Sequence, residues 1–192
     1  MVDQTLSSED RVIDETRRWI ERIVIGNNFC PFARKPFFND TVRYSAAMVE
    51  TPEGVAERLV EELLLLRDAD RAAVETTLLI IPNCFRDFDE YNQFLDVVDA
   101  VVEEHALTGI LQVASFHPDY RFADLSPDDV RNYTNRSPYP MFHLILEDSI
   151  ETARAVHPDV EGIPGANMER LEEMGVEEAM RQLRGCRRAE LD

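Results

Sequence analysis

Apolar positions recur at helical spacing in three long stretches of the chain and as short aliphatic runs in four others. Residues 8–25 place Val12, Thr16, Trp19, Ile20 and Ile23 on one face, with Ser8 available as a cap and Gly26-Asn27-Asn28 ending the pattern. Thr51-Pro52-Glu53 has the chemistry of a helix start, and Val55, Leu59, Leu63 and Leu66 then repeat at helical spacing to about Asp68. Asp87 and Glu90 stand at the spacing of a capping box, followed by an inner stripe of Tyr91, Phe94, Leu95, Val98, Val101 and Val102 that closes near Gly109. Strands are predicted at 42–50, 76–81, 110–116 and 141–146. The second is a continuous β-branched run of the kind buried on both faces. Shorter helices are predicted around 149–157 and 167–184, and the proline-bracketed segment 29–36 predicts no regular element over its length.

This order predicts an α/β fold, with α+β as the neighbouring class. Helical crossovers make the first three strands parallel and right-handed in their connections, whereas the fourth follows a loop and is expected to run antiparallel to the third. The result is a mixed four-stranded sheet with helices packed on it, in a ferredoxin-like or thioredoxin-like layout. At 192 residues the chain suits one core, so a single domain over 1–192 is expected, with an ordered core at 7–184 and short polar tails.

Composition narrows the function more than it names it. The net charge of −18, from 38 acidic and 20 basic residues, repels phosphate backbones and anionic lipid, so neither nucleic acid nor membrane is an expected partner. Lys35 is the only lysine. No apolar run approaches the length of a bilayer span, and the N-terminus MVDQTLSSEDR lacks a secretory pattern, which leads to the expectation of a cytoplasmic protein. Three widely spaced cysteines, Cys30, Cys84 and Cys186, make neither a disulfide framework nor a zinc site by themselves. No glycine-rich phosphate loop, G-x-S-x-G elbow, H-E-x-x-H or dinucleotide fingerprint occurs, which excludes the common ATPases, dehydrogenases and serine hydrolases.

The candidate chemistry gathers at one sheet edge. In open α/β sheets ligands bind beyond the carboxyl ends of the parallel strands. Asn83 and Arg86 leave the second strand there, His117 and Asp119 leave the third, and the fourth begins there, just ahead of His143. Between them runs HPDYRFADLSPDDVRNYTNRSPYP, a long aperiodic stretch of the kind that more often works than fills. Asn83, Arg86, His117, Asp119, Tyr120, Arg121, Asn132, Asn135, Arg136, Tyr139 and His143 can therefore converge.

His117 has two functional readings, a general base oriented by Asp119 or a ligand in a divalent-metal triad with Asp119 and His143. Against these, a histidine in an apolar strand, as His143 is, commonly serves structure, and His105 and His157 read as structural. Arg136, held between prolines and aromatics, is either a stiff clamp for a carboxylate or phosphate or the partner of Asp119, Asp124 or Asp128. Cys30 has Arg34 and Lys35 nearby, which favours a thiolate, but Phe29 and Phe32 beside it favour plain burial.

The stretches TRRWIERIVIGNNFCPFARKP, ETTLLIIPN, LQVASFHPDYRFAD and NRSPYPMFHL, with their spacing, resemble the bacterial family catalogued as domain of unknown function 1415, over nearly all of residues 16–175. The resemblance implies one domain and assigns Cys30, His117, Asp119, Asn135, Arg136 and His143 to the family's own motifs. It carries no activity and no cofactor. Two functions remain in view from the residues. One is an enzyme acting on a small anionic metabolite, with His117, Asp119, Arg136 and Cys30 as catalytic candidates and Asn83, Arg86, Arg121, Asn135 and Tyr139 binding substrate. The other is a non-catalytic module that uses the loop 117–139 for a small ligand or a protein. The loop as an oligomer interface is a third use.

Overall fold

A computed structural model describes residues 6–156 and 159–187; His157 and the polar tail beyond Arg187 lie outside the described residues. Helix α1 (Ser8–Trp19) is capped by Ser7 rather than Ser8, the Ser7 hydroxyl accepting the Asp10 amide at 3.1 Å. It runs on as a π-helical turn at Ile20–Ile25, which keeps Ile20, Ile23 and Ile25 on the buried face. Helix α2 (Arg34–Phe38) is a single turn that begins inside the proline-bracketed segment 29–36 and runs past its end.

Strand β1 (Val42–Ala46) then leads to α3 (Pro52–Asp68), started by Thr51, whose side chain accepts the Gly54 amide at 3.2 Å. Strand β2 (Thr76–Ile80) is followed by α4 (Phe88–Glu104), where the Asp87 carboxylate accepts the amides of Asp89 and Glu90. After β3 (Leu111–Phe116) the long loop makes one 3₁₀ turn at Val130–Thr134 and returns as β4 (Met141–Leu146). Helices α5 (Glu147–Val156), α6 (Ile163–Met174) and α7 (Val176–Arg184) complete the chain. The predicted last helix is broken at Gly175, whose φ of 78° is a left-handed conformation that a glycine adopts without strain.

The four strands form one mixed sheet in the order β1-β2-β4-β3. β1 and β2 are parallel, and β4 lies between β2 and β3, antiparallel to both. The expected α/β class and the antiparallel fourth strand are both present.

Alternation along the strands divides the core into two layers. Leu79, Ile81, Phe142 and Leu144 face α3 and α4, against Leu59, Leu63, Leu66, Tyr91, Phe94 and Val98. Leu78, Ile80 and Met141 face the opposite way, against Val12, Trp19 and Ile20 with Leu171 of α6 and Ala179 of α7. Leu59, Leu63 and Leu66 are wholly buried, and each such side chain contributes about 1.5–3 kcal/mol. On the first face the buried Glu62 of α3 receives the Arg43 guanidinium of β1 through two bonds of 2.7 and 2.9 Å, and Arg58 adds a third at 3.2 Å. Burial pushes the Glu62 carboxyl up, yet these cations and Ser45 together hold it below its ordinary value. Among the described residues no helix is long and apolar enough to cross a membrane.

Candidate functional site

A cleft of about 480 Å³ opens at the carboxyl edge of the parallel strands. Its walls come from six places. Met48 follows β1, and Pro82, Asn83, Cys84 and Arg86 follow β2. His117 and Pro118 follow β3, while Tyr139 and Pro140 precede β4. Ser8, Arg11 and Val12 from the first turn of α1 and Arg187 after α7 close it.

The structure thus brings Asn83, Arg86, His117 and Tyr139 together from the residues the sequence nominated. Arg11, Arg187, Met48 and Cys84 join them. No local signal marked Arg11 or Arg187, because they come from opposite ends of the chain and meet only through the fold.

His117 is wholly buried, with both ring nitrogens engaged by backbone. Its Nε2–H donates to the Phe85 carbonyl at 2.9 Å, and its Nδ1 accepts the Asp119 amide at 3.0 Å. These partners define the neutral Nε2–H tautomer, and the ring packs beside Phe88 and Tyr91 of α4. Burial lowers its pKa from the ordinary histidine value, against the raising effect of the Phe85 carbonyl and the charges of Asp119 and Asp87. Asp119 therefore orients the imidazole through its amide rather than its carboxylate.

The metal triad expected from His117, Asp119 and His143 is not assembled. His143 pairs across the sheet with Leu78 and Ala114, on the face that packs against α1, whereas His117 contacts α4 on the other face. Strand alternation puts the two rings on opposite faces of the sheet. The Thr76 hydroxyl donates to the Leu144 carbonyl at 2.7 Å and so accepts from His143 Nε2, 2.8 Å away. Burial lowers the pKa of His143 to about 4. Among the described residues no group of three His, Cys, Asp or Glu side chains is placed to hold a metal ion.

The loop candidates mostly brace the loop itself. The buried Asn132 accepts the Phe122 amide at 3.0 Å and donates to the Ser126 carbonyl at 2.8 Å. Asn135 donates to the Ser115 carbonyl at 3.1 Å, and Tyr120 packs between Phe88 and Phe122. Arg121 pairs with Asp89 and lies over Phe88. Arg136 is neither an anion clamp in the cleft nor the salt-bridge partner of a nearby aspartate. It donates to the carbonyls of Tyr120 at 3.2 Å and Pro127 at 2.7 Å and lies 4.5 Å over the Tyr133 ring.

Cys30 does not line the cleft. Burial raises its thiol pKa, against the lowering effect of the backbone of Phe32 and Ala33. Cys84, which does line the cleft, is also raised by burial and by the charges of Glu90 and Glu53.

Also on the cleft wall, Tyr139 donates from its hydroxyl to the buried carboxylate of Glu15 at 2.6 Å. Burial and Glu15 push that phenol up to about 12, against the charges of Arg187 and Arg11. The Arg187 guanidinium lies 4.9 Å over the Tyr139 ring and donates to the Pro138 carbonyl. Neither Arg11 nor Arg86 forms an ion pair with a described residue, although nine other arginines of this acidic chain do.

A family model described as a protein of unknown function (DUF1415) matches residues 11–181. Neither a curated protein nor a solved structure matches the chain.

Proposed function

The chain belongs to the DUF1415 family, and from that premise we propose that it recognises a small anionic metabolite in the cleft at the carboxyl edge of its sheet. The observation that carries this reading is the charge pattern. Arg11, Arg86 and Arg187 reach one cleft from three distant segments of a chain with net charge −18, and the first two have no described acidic partner. Guanidinium groups without a partner suit a carboxylate or phosphate, which they can hold through paired charge-assisted hydrogen bonds. The acidic remainder of the surface turns away extended polyanions, which favours a small ligand over a nucleic acid.

The engagement of both His117 nitrogens by backbone supports recognition over base catalysis at that residue, since neither nitrogen offers a lone pair to a substrate. Titration calorimetry with inorganic phosphate and with succinate, against a neutral diamide control, tests the reading. Binding of one anion is expected, weakening with ionic strength. Arg11→Ala and Arg86→Ala should each lower that affinity by about tenfold. Equal behaviour of the anions and the diamide, or full affinity in both variants, would remove the proposal.

A further inference from the structure

We infer that His117 is a positioning residue for this cleft, acting as the latch that holds the wall Asn83–Arg86 in place through the Phe85 carbonyl. The inference rests on the anion-recognition reading for its consequence, but the latch itself stands on separate geometry. Phe85 has a φ of 57°, a left-handed conformation that a residue with a Cβ keeps only when its surroundings over-determine it. Two contacts do so. The Phe85 ring is buried against Phe94, with centroids 4.6 Å apart, and its carbonyl accepts the His117 Nε2–H at 2.9 Å.

The residues on either side of Phe85, Cys84 and Arg86, both line the cleft. If Phe85 relaxed to an ordinary right-handed or extended conformation, the chain direction through both neighbours would change. Cys84 directly precedes Phe85 and lines the cleft, so the state of this turn is reported at a sulfur atom. Through its backbone His117 is tied into the loop after β3. Its amide donates to the Asn135 carbonyl at 3.2 Å, and its carbonyl accepts the Tyr120 amide at 3.2 Å and the Ser137 amide at 3.4 Å. One buried ring therefore ties the turn after β2 to the loop after β3.

Two amide substitutions separate its two bonds. In His117→Gln the side-chain amide reaches the position of Nε2 and keeps the donor to Phe85. In His117→Asn the side-chain carbonyl takes the position of Nδ1 and keeps the acceptor for the Asp119 amide, while the Phe85 bond is lost. Alkylation of Cys84 by N-ethylmaleimide at neutral pH, followed on the Cys84 peptide by mass spectrometry, reads the turn without any ligand. The Cys84 rate is expected to rise about tenfold in His117→Asn and to stay near the wild-type rate in His117→Gln. Phosphate or succinate affinity should follow the same order, with most of the loss in His117→Asn recovered in His117→Gln.

Equal Cys84 rates in the two variants overturn the latch. If His117→Asn does not fold, His117→Gln carries the test by itself, because a tenfold rise in its Cys84 rate also overturns it. If the rates differ as expected and the wild type binds neither anion, the anion reading falls and the latch is supported.

Discussion

Tyr91→Phe is expected to lower the stability of the fold by about 2–4 kcal/mol. The wholly buried Tyr91 hydroxyl sits in the sheet ladder itself, donating to the Met141 carbonyl at 2.8 Å and accepting the Phe116 amide at 3.1 Å. Phe116 and Met141 are register partners at the last rung between β3 and β4. Phenylalanine preserves the packing against Phe85 and Phe142 but strands one buried donor and one buried acceptor, each costing about 1–3 kcal/mol. Burial raises the phenol well above its ordinary pKa, so the group stays a neutral donor over the working pH range. Urea unfolding measures the loss, and amide exchange at Phe116 localises it. A loss below about 1 kcal/mol with Phe116 still protected would mean that the hydroxyl contributes nothing special.

Acidification gives the second large effect. His143 is held neutral in the sheet with its pKa at about 4, against about 6.5 in an unfolded chain. Because the folded value is the lower one, the unfolded chain takes up the proton first as the pH falls. Stability is therefore complete above about pH 6.5 and is lost progressively towards pH 4, by about 2–3 kcal/mol from this residue. His117, also lowered by burial, acts in the same direction. His143→Gln keeps a donor for the Thr76 hydroxyl and removes the titration, so its stability should vary less between pH 7 and 4.5 than that of the wild type. Parallel stability–pH curves for the two proteins would exclude His143 as the cause.

The elements were legible where a local rule sufficed. The Thr51-Pro52 start, the Asp87–Glu90 cap and the alternation of Leu78 with Leu79 each state in a few residues what the fold does with them. Strand direction also followed, since a crossover helix and a loop without one have different geometric outcomes. Site roles were harder, because the same residue type serves a ligand or the backbone according to what stands opposite it. Arg136 and Asn135 lie in an unusual motif, and carbonyls of the loop and of β3 consume their donors. The His117-x-Asp119 spacing suggested a carboxylate–imidazole pair, and the contact is made by the Asp119 amide instead. Arg11 and Arg187 carried no signal at all, being surface arginines among many until α1 and the segment after α7 meet over the same strand ends.

The insertion of β4 between β2 and β3 also sets an order for the birth of the protein. Among the described residues β3 pairs with β4 alone, and β2 has β1 on one side only until β4 arrives. A chain emerging from the ribosome can complete β1, α3 and β2 as a local unit, but β3 must then wait through the whole loop 117–140 as an unpaired edge. The polar, internally braced loop keeps that interval hydrophilic, and the last strand to appear is the one that joins the two halves of the sheet. The cleft thus comes into being only once β4 has paired on both sides and the segment after α7 has brought Arg187 to the edge.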